Sequence, residues 1–267
     1  MTYTRISYTA EDGVAVITLN DPPANTYSYE MMREIDDAVL AARMDAAAHV
    51  IVLMGMGEKF FCAGANIGML KDADPAFKYY FCLHANETMS RLEQTPKLVI
   101  AALNGHTVGG GLEVAMAADI RIARKGGGKI GLPEVGLGVL PGTGGTQRLA
   151  RLVGKARAIE LMATGALFSF EEAAAMGLVN QVWGDAELGG RSFADAVIDY
   201  AKQFTPPNRA SKAVGHIKRA VQTGLEVSFH DALALERELQ QRLFESADAQ
   251  EGIRANLEKR KPEFSGK

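Results

Sequence analysis

Two glutamates stand in surroundings unusual for acids. Glu113 closes the string N-G-H-T-V-G-G-G-L-E that begins at Asn104, two residues after the triple glycine Gly109, Gly110 and Gly111. Glu134 directly follows Pro133 in G-L-P-E. A glycine run that opens a helix leaves backbone N–H groups unpaired and aimed at one spot, with the positive end of the helix dipole behind them. Two acids beside such a spot would make a site for proton transfer next to a stabilised negative charge. Both are flanked by apolar sequence, V-A-M-A-A and V-G-L-G-V-L, where an acid must be partnered or working. If both face one pocket, their repulsion favours one protonated and one ionised form. The bland alternatives are a surface acid and a glycine run that merely lets a helix approach a strand.

A second small-residue bend, Cys62-Ala63-Gly64-Ala65-Asn66, follows a buried-strand pattern. Such a bend can present a free N–H at the C-terminal ends of strands, where α/β ligand sites usually lie. Two N–H groups converging from separate bends are what an oxyanion hole requires, and they would stabilise an enolate. Other chemistries find less support. P-G-T-G-G-T-Q-R (Pro141–Arg148) fails the G-x-G-x-x-G pattern at Gln147 and has no following G-K-[ST], so it reads as a tight turn into a packed helix. His49, His84, His106, His216 and His230 are dispersed, without H-E-x-x-H or Cys/His pairing, and no metal site is expected. No G-x-S-x-G elbow supports a serine hydrolase.

The elements that must position these residues alternate. Residues 3–9 and 14–19 read as a hairpin around Glu11-Asp12-Gly13. Ser28 to Met44 carries Met31, Met32, Ile35, Val39 and Leu40 at helical spacing, with Ser28 as N-cap. Val50–Met54 reads as a buried strand, Phe77–Leu92 as helix, Lys97–Leu103 as strand and Gly110–Ala117 as helix. Ile120–Ala123, Ile130–Leu132 and Val179–Trp183 read as further strands, with helices over Gly144–Leu152, Lys155–Ala163 and Glu171–Met176. Strands alternating with helices predict an α/β core. From about Ser192 only helix is expected, so the chain divides into a core over 1–200 and a helical region over 201–267 that needs a partner for its apolar faces.

Bulk properties agree. The 267 residues are 47% hydrophobic and 23% charged, ordinary for a soluble domain with a sizeable core. A net charge of −3 with scattered Lys and Arg argues against nucleic acid. Cys62 and Cys82 are too few for a disulfide framework, no N-terminal apolar segment predicts secretion, and the apolar runs are far too short for a membrane span. A cytoplasmic protein is expected.

The strings F-F-C-A-G-A-N-I, A-A-L-N-G-H-T-V-G-G-G-L-E-V-A-M-A-A-D-I-R-I-A and G-L-P-E-V-G-L-G-V-L-P-G-T-G-G-T-Q-R-L resemble the enoyl-CoA hydratase/isomerase (crotonase) family. The tail from Ser246-Ala247-Asp248 through Glu251-Gly252 to Glu258–Pro262 is similar too. The resemblance implies a spiral of β-β-α units, a C-terminal helical region that builds homotrimers or hexamers, and an acyl-CoA thioester substrate. It gives the two backbone donors to the thioester oxygen to Ala65 and Gly110. It implies that Glu113 and Glu134 hold a water between them, activate it for attack at C3 and exchange the proton at C2. No metal or redox cofactor is implied. Ala24, Ala63, Ala65, Asn66 and Ile67 fall at substrate and CoA positions, and Lys259 and Phe264 where a C-terminal segment covers the adenine end of CoA.

Both acids are present, which favours hydration of a trans-2-enoyl-CoA to a 3-hydroxyacyl-CoA. Isomerisation, or hydration of a branched or cyclic acyl-CoA, is the alternative, and a non-catalytic CoA- or RNA-binding member of the family is a third. Two departures bear on substrate choice and CoA affinity: Asn66 stands where an Asp is common, and Pro22–Tyr27 lacks a basic residue and ends in the bulky Tyr27.

Overall fold

The computed structural model describes residues 3–267. Strands β1 (Ile6–Glu11) and β2 (Val14–Leu19) form an antiparallel hairpin. Its turn residues, Asp12 and Gly13, have φ of 50° and 82°, the two left-handed positions that match the twist of a tight hairpin. Helix α1 (Tyr29–Met44) follows, capped as expected: the Ser28 hydroxyl accepts the Met31 N–H at 3.3 Å.

The chain then repeats one manoeuvre. Strands β3 (Val50–Gly55) and β4 (Phe60–Cys62) lead through α2 (Ile67–Lys71) into α3 (Pro75–Gln94). Strands β5 (Leu98–Leu103) and β6 (His106–Val108) lead into α4 (Gly110–Met116), and β7 (Ile120–Arg124) and β8 (Ile130–Gly131) into a 3-10 turn at Glu134–Leu137. The first strand of each pair joins a six-stranded sheet of order β1-β2-β3-β5-β7-β9, completed by β9 (Gln181–Trp183), in which only β1–β2 is antiparallel. The second strand of each pair joins a small parallel sheet, β4-β6-β8. This is the β-β-α spiral of the crotonase fold. The segments F-F-C and H-T-V, to which the sequence reading assigns no strand, are two of its short strands. Between β8 and β9 the chain forms α5 (Gly145–Val153), α6 (Lys155–Thr164) and α7 (Phe170–Ala175), and after β9 the short α8 (Asp185–Leu188).

Successive side chains of a strand point to opposite faces, and both faces of the large sheet are covered. Ile51, Leu53, Val99 and Ala101 pack toward α1, α3 and α4. Val50, Val52, Leu98 and Ile100 pack toward Phe193, Ala196, Val197 and Ala201 of α9 (Phe193–Lys202). Residue 200 therefore lies inside a helix seated on the sheet. The chain ends in α10 (Ser211–Gly224), α11 (Phe229–Phe244) and α12 (Ala247–Leu257). α10 is tied to the core at Gly215, where a Cβ would overlap the Pro96 carbonyl, and at Lys218, whose buried ammonium lies 2.9 Å from Asp119. Burial pushes the Lys218 amine down and the Asp119 carboxyl up, so desolvation outweighs the pairing at both ends. Ile217, Val221, Leu225, Phe229, Phe244 and Leu257 remain exposed on these helices.

Asn104 holds the crossing between the sheets. Its Oδ1 accepts the Gly55 N–H at 2.9 Å, and its Nδ2 donates to Gly57 O at 2.7 Å and Phe60 O at 3.2 Å, bracing the turn from β3 to β4. Its loss strands a buried N–H. Asn104→Ala is expected to lower stability by about 2–3 kcal/mol in urea unfolding, at roughly 1 kcal/mol per buried bond.

Candidate active site

The site forms where three backbone segments meet. Tyr27 is extended and pairs with the bend after β4: its N–H donates to Gly64 O at 3.0 Å, and its C=O accepts the Asn66 N–H at 2.9 Å. Because successive amides of an extended strand point in opposite directions, the Ala65 N–H faces away from Tyr27. It donates to no backbone acceptor among the described residues. The bend lies on the start of α4: a Cβ on Gly64 would sit 3.0 Å from the Gly110 nitrogen. Gly109 turns the chain into α4 with φ 58° and ψ −133°, a conformation open to glycine alone, while its own N–H is spent on Gly131 O at 2.8 Å. Gly110, first in the helix, keeps its N–H unpaired. Ala65 and Gly110 thus offer two converging donors. α4 has only seven residues, so these local N–H groups, rather than a long helix dipole, supply the positive field.

Glu113 lies in the first turn of α4, which is buried along its whole length. Its side chain is only 2% exposed and held by the P-G-T-G-G-T turn. Thr143 N–H (2.8 Å) and Gly145 N–H (2.7 Å) donate to Oε1, and the Thr143 hydroxyl donates to Oε2. All three partners are donors, so the carboxylate acts purely as acceptor. Gly145 permits the approach, since a Cβ there would come 2.9 Å from Oε1. The turn that sequence reading left as packing is the clamp of one acid. Only its adjacency to the motif hinted at this, because nothing in its composition says which side chain its N–H groups meet.

Glu134 has the opposite environment. It opens the 3-10 turn, half-buried, with Oε1 over Gly109, where a Cβ would stand 3.0 Å away. Its Oε2 is buried with no hydrogen-bond partner among the described residues. Burial, aided by the charge of Glu113 and opposed by its own backbone N–H and by Lys78, raises the Glu134 carboxyl to about 7. At neutral pH this acid is poised between its protonated and ionised forms.

Both glutamates, Ala65 and Gly110 line one cavity of ≈ 390 Å³, walled by Ile67, Leu70, Val108, Leu137, Val139 and Leu140. Ala63 also lines it, with its N–H on Ala24 O at 3.1 Å, so Ala24 supports the bend from behind. Asn66 does not: its Oδ1 caps α2 by accepting the Met69 N–H at 3.0 Å. An Asn caps as well as an Asp, which accounts for the residue present. Lys259 and Phe264 are not brought to the cavity within one chain. Lys259 ends α12 in a left-handed conformation (φ 54°), and Phe264 lies against Gly252 with its N–H on Pro207 O at 3.2 Å. His106 is packed on Phe60, with Nδ1 accepting the Lys129 N–H at 3.0 Å. Burial pushes the Cys62 thiol up to about 12, which makes it inert. Tyr27, seen in the sequence only as bulky, lines the cavity with its hydroxyl 3.1 Å from Thr143 Oγ1.

Two carboxylates in unlike environments and two unpaired backbone N–H groups therefore line one cavity. Residues 9–267 match the family described as enoyl-CoA hydratase/isomerase. A probable enoyl-CoA hydratase of Bacillus subtilis (strain 168) is 38% identical, covering 98% of each chain. The short-chain-enoyl-CoA hydratase of Clostridium acetobutylicum is 38% identical over 95% of this chain and 94% of its own. The crystal structure of an enoyl-CoA hydratase from Bacillus anthracis superposes with a TM-score of 0.90 at 34% identity, over 99% of this chain and 100% of that one. The chain belongs to the enoyl-CoA hydratase/isomerase, or crotonase, family.

The unpaired Glu134 carries a stability cost with a definite pH dependence. Its folded pKa, about 7, lies above the ordinary 4.5, so between these values the folded chain binds more protons and stability falls as pH rises. Glu134→Gln is expected to stabilise the protein at pH 8 by on the order of 1–3 kcal/mol and to leave it unchanged at pH 4, as read by chemical denaturation.

Proposed function

We propose that the protein is an enoyl-CoA hydratase that adds water across the 2,3 double bond of a trans-2-enoyl-CoA to give a 3-hydroxyacyl-CoA. The observation that carries this reading is the pair of carboxylates in one cavity, one clamped by donors and one poised near neutrality, beside two free N–H groups. The thioester oxygen accepts from the Ala65 and Gly110 N–H groups, which withdraws electron density from C3 and steadies the enolate-like charge. A water held between the acids attacks C3 while Glu113 takes its proton. Protonated Glu134 delivers a proton to C2. One proton is taken and one given, so product release and proton exchange between the acids or with solvent restore the starting state. The reaction so written calls for no metal or redox cofactor. Relatives named for short-chain-enoyl-CoA and crotonyl-CoA make a short acyl chain the first substrate to try.

The exposed apolar side chains of α10–α12 support a homotrimer or hexamer built by residues 201–267. In such an assembly Lys259 and Phe264 reach the CoA of a neighbouring subunit rather than their own. No helix among the described residues is long and apolar enough to cross a membrane, and the net charge of −3 gives no footprint for nucleic acid. We place the enzyme in the cytoplasm.

Turnover of crotonyl-CoA, followed by loss of enone absorbance, is the test. Glu113→Gln and Glu134→Gln should each lower kcat by at least ~100-fold. Folded wild-type protein that leaves crotonyl-CoA untouched would sink the simple hydratase reading. Because hydration needs Glu134 protonated, kcat/KM for hydration should fall as pH rises through about 7.

A further inference from the structure

Tyr27 touches both donor segments and the Thr143 clamp, yet the reaction as written gives it no task. Its backbone carries the bend that presents Ala65, through the bonds to Gly64 O and from Asn66 N–H. Its ring is 2% exposed and stacks on Phe81 with centroids 5.7 Å apart. Its hydroxyl lies over Gly110, where any Cβ would overlap it. On its other side the hydroxyl meets Thr143 Oγ1 at 3.1 Å.

Valence sets the direction of these bonds. The ionised Glu113 only accepts, so the single Thr143 hydroxyl proton goes to Glu113 Oε2. Thr143 oxygen must then accept from Tyr27, whose one phenolic proton is thereby committed. The result is a one-way chain, Tyr27 to Thr143 to Glu113, in which each bond polarises the next. Its far end is fixed by a ring that packing holds still, and the same ring flanks Gly110.

We propose that Tyr27 is a positioning residue for hydration: acting through Thr143, it orients the Glu113 carboxylate and locks that base in register with the Ala65 and Gly110 donors. One lone pair of Oε2 is used by Thr143, and the other is left for the attacking water. Burial and the nearby Glu113 charge hold the Tyr27 phenol well above its ordinary range, so it remains a donor wherever the enzyme works.

The proposal rests on the hydratase reading, and steady-state kinetics with crotonyl-CoA separate the two. Tyr27→Phe keeps the ring and its stacking and removes only the hydroxyl. It should lower kcat about tenfold with KM within about twofold, since substrate contacts are intact and base alignment is lost. Thr143→Val should do the same, Thr143→Ser should restore near-wild-type turnover, and the double variant Tyr27→Phe/Thr143→Val should be no worse than about the poorer single one. Tyr27→Phe with kcat within about twofold of wild type, losses that multiply in the double variant, or an effect confined to KM would overturn the positioning role alone. Wild-type protein inactive on crotonyl-CoA would overturn the hydratase reading and this proposal with it.

Discussion

The structure turns on keeping two backbone N–H groups, those of Ala65 and Gly110, unpaired in a buried place and close together. Folded chains almost always pair such donors, because stranding one costs free energy comparable to a lost hydrogen bond. The residues on either side of Ala65, and the one before Gly110, are paired. Gly64 and Asn66 bond to Tyr27, and Gly109 bonds to Gly131, so the exposed donors have nowhere to relax. The glycines serve this approach. Besides the contacts already described, a Cβ at Gly111 would overlap the Cys62 carbonyl, so the bend and α4 touch backbone to backbone.

The acids exploit the same frame in different ways. Glu113 is solvated by three donors of a single turn, as water would solvate it, and can be ionised deep in the core. The Oε2 of Glu134 is given no partner among the described residues, and burial, more than the charge of Glu113, biases the acid toward its protonated form. Glu134 thus acquires its raised proton affinity from its surroundings more than from the charge of Glu113, which is the smaller influence.

Much of this was legible in the sequence. Buried strands such as Val50–Gly55 and Leu98–Leu103 declare themselves as apolar runs, and α1 by its spacing and its Ser28 cap. Glu113 stands out by its triple glycine, Glu134 by Pro133 and its apolar flanks, and the bend Cys62–Asn66 by its small residues after a buried-strand pattern. Ile130–Leu132 reads as a strand, but the small sheet it belongs to does not show, because Phe60–Cys62 and His106–Val108 are too short to display periodicity and are strands only by virtue of their neighbours. The Thr143 clamp joins positions 30 residues apart, and no local pattern encodes such a meeting. Asn66 looked like an altered charge beside the donors and is a helix cap, a distinction that depends on where the side chain turns. Phe264 packs against Gly252, and neither it nor Lys259 lines the cavity of its own chain, a placement that no local pattern in the tail foretells.

The placement of Glu134 on a four-residue surface turn, while the donors and Glu113 lie in close-packed backbone, has an evolutionary consequence. The backbone that presents the two donors leaves little room for side chains, since a Cβ at Gly110 or Gly111 would overlap its neighbours. The turn at 134–137 is bounded by Pro133 and Gly138, and three of its residues are largely solvent-facing. Sequence there can drift, and the proton donor can be moved, exchanged or removed, without dismantling the charge-stabilising half. One scaffold is thereby free to diversify its proton chemistry while conserving its electrostatics.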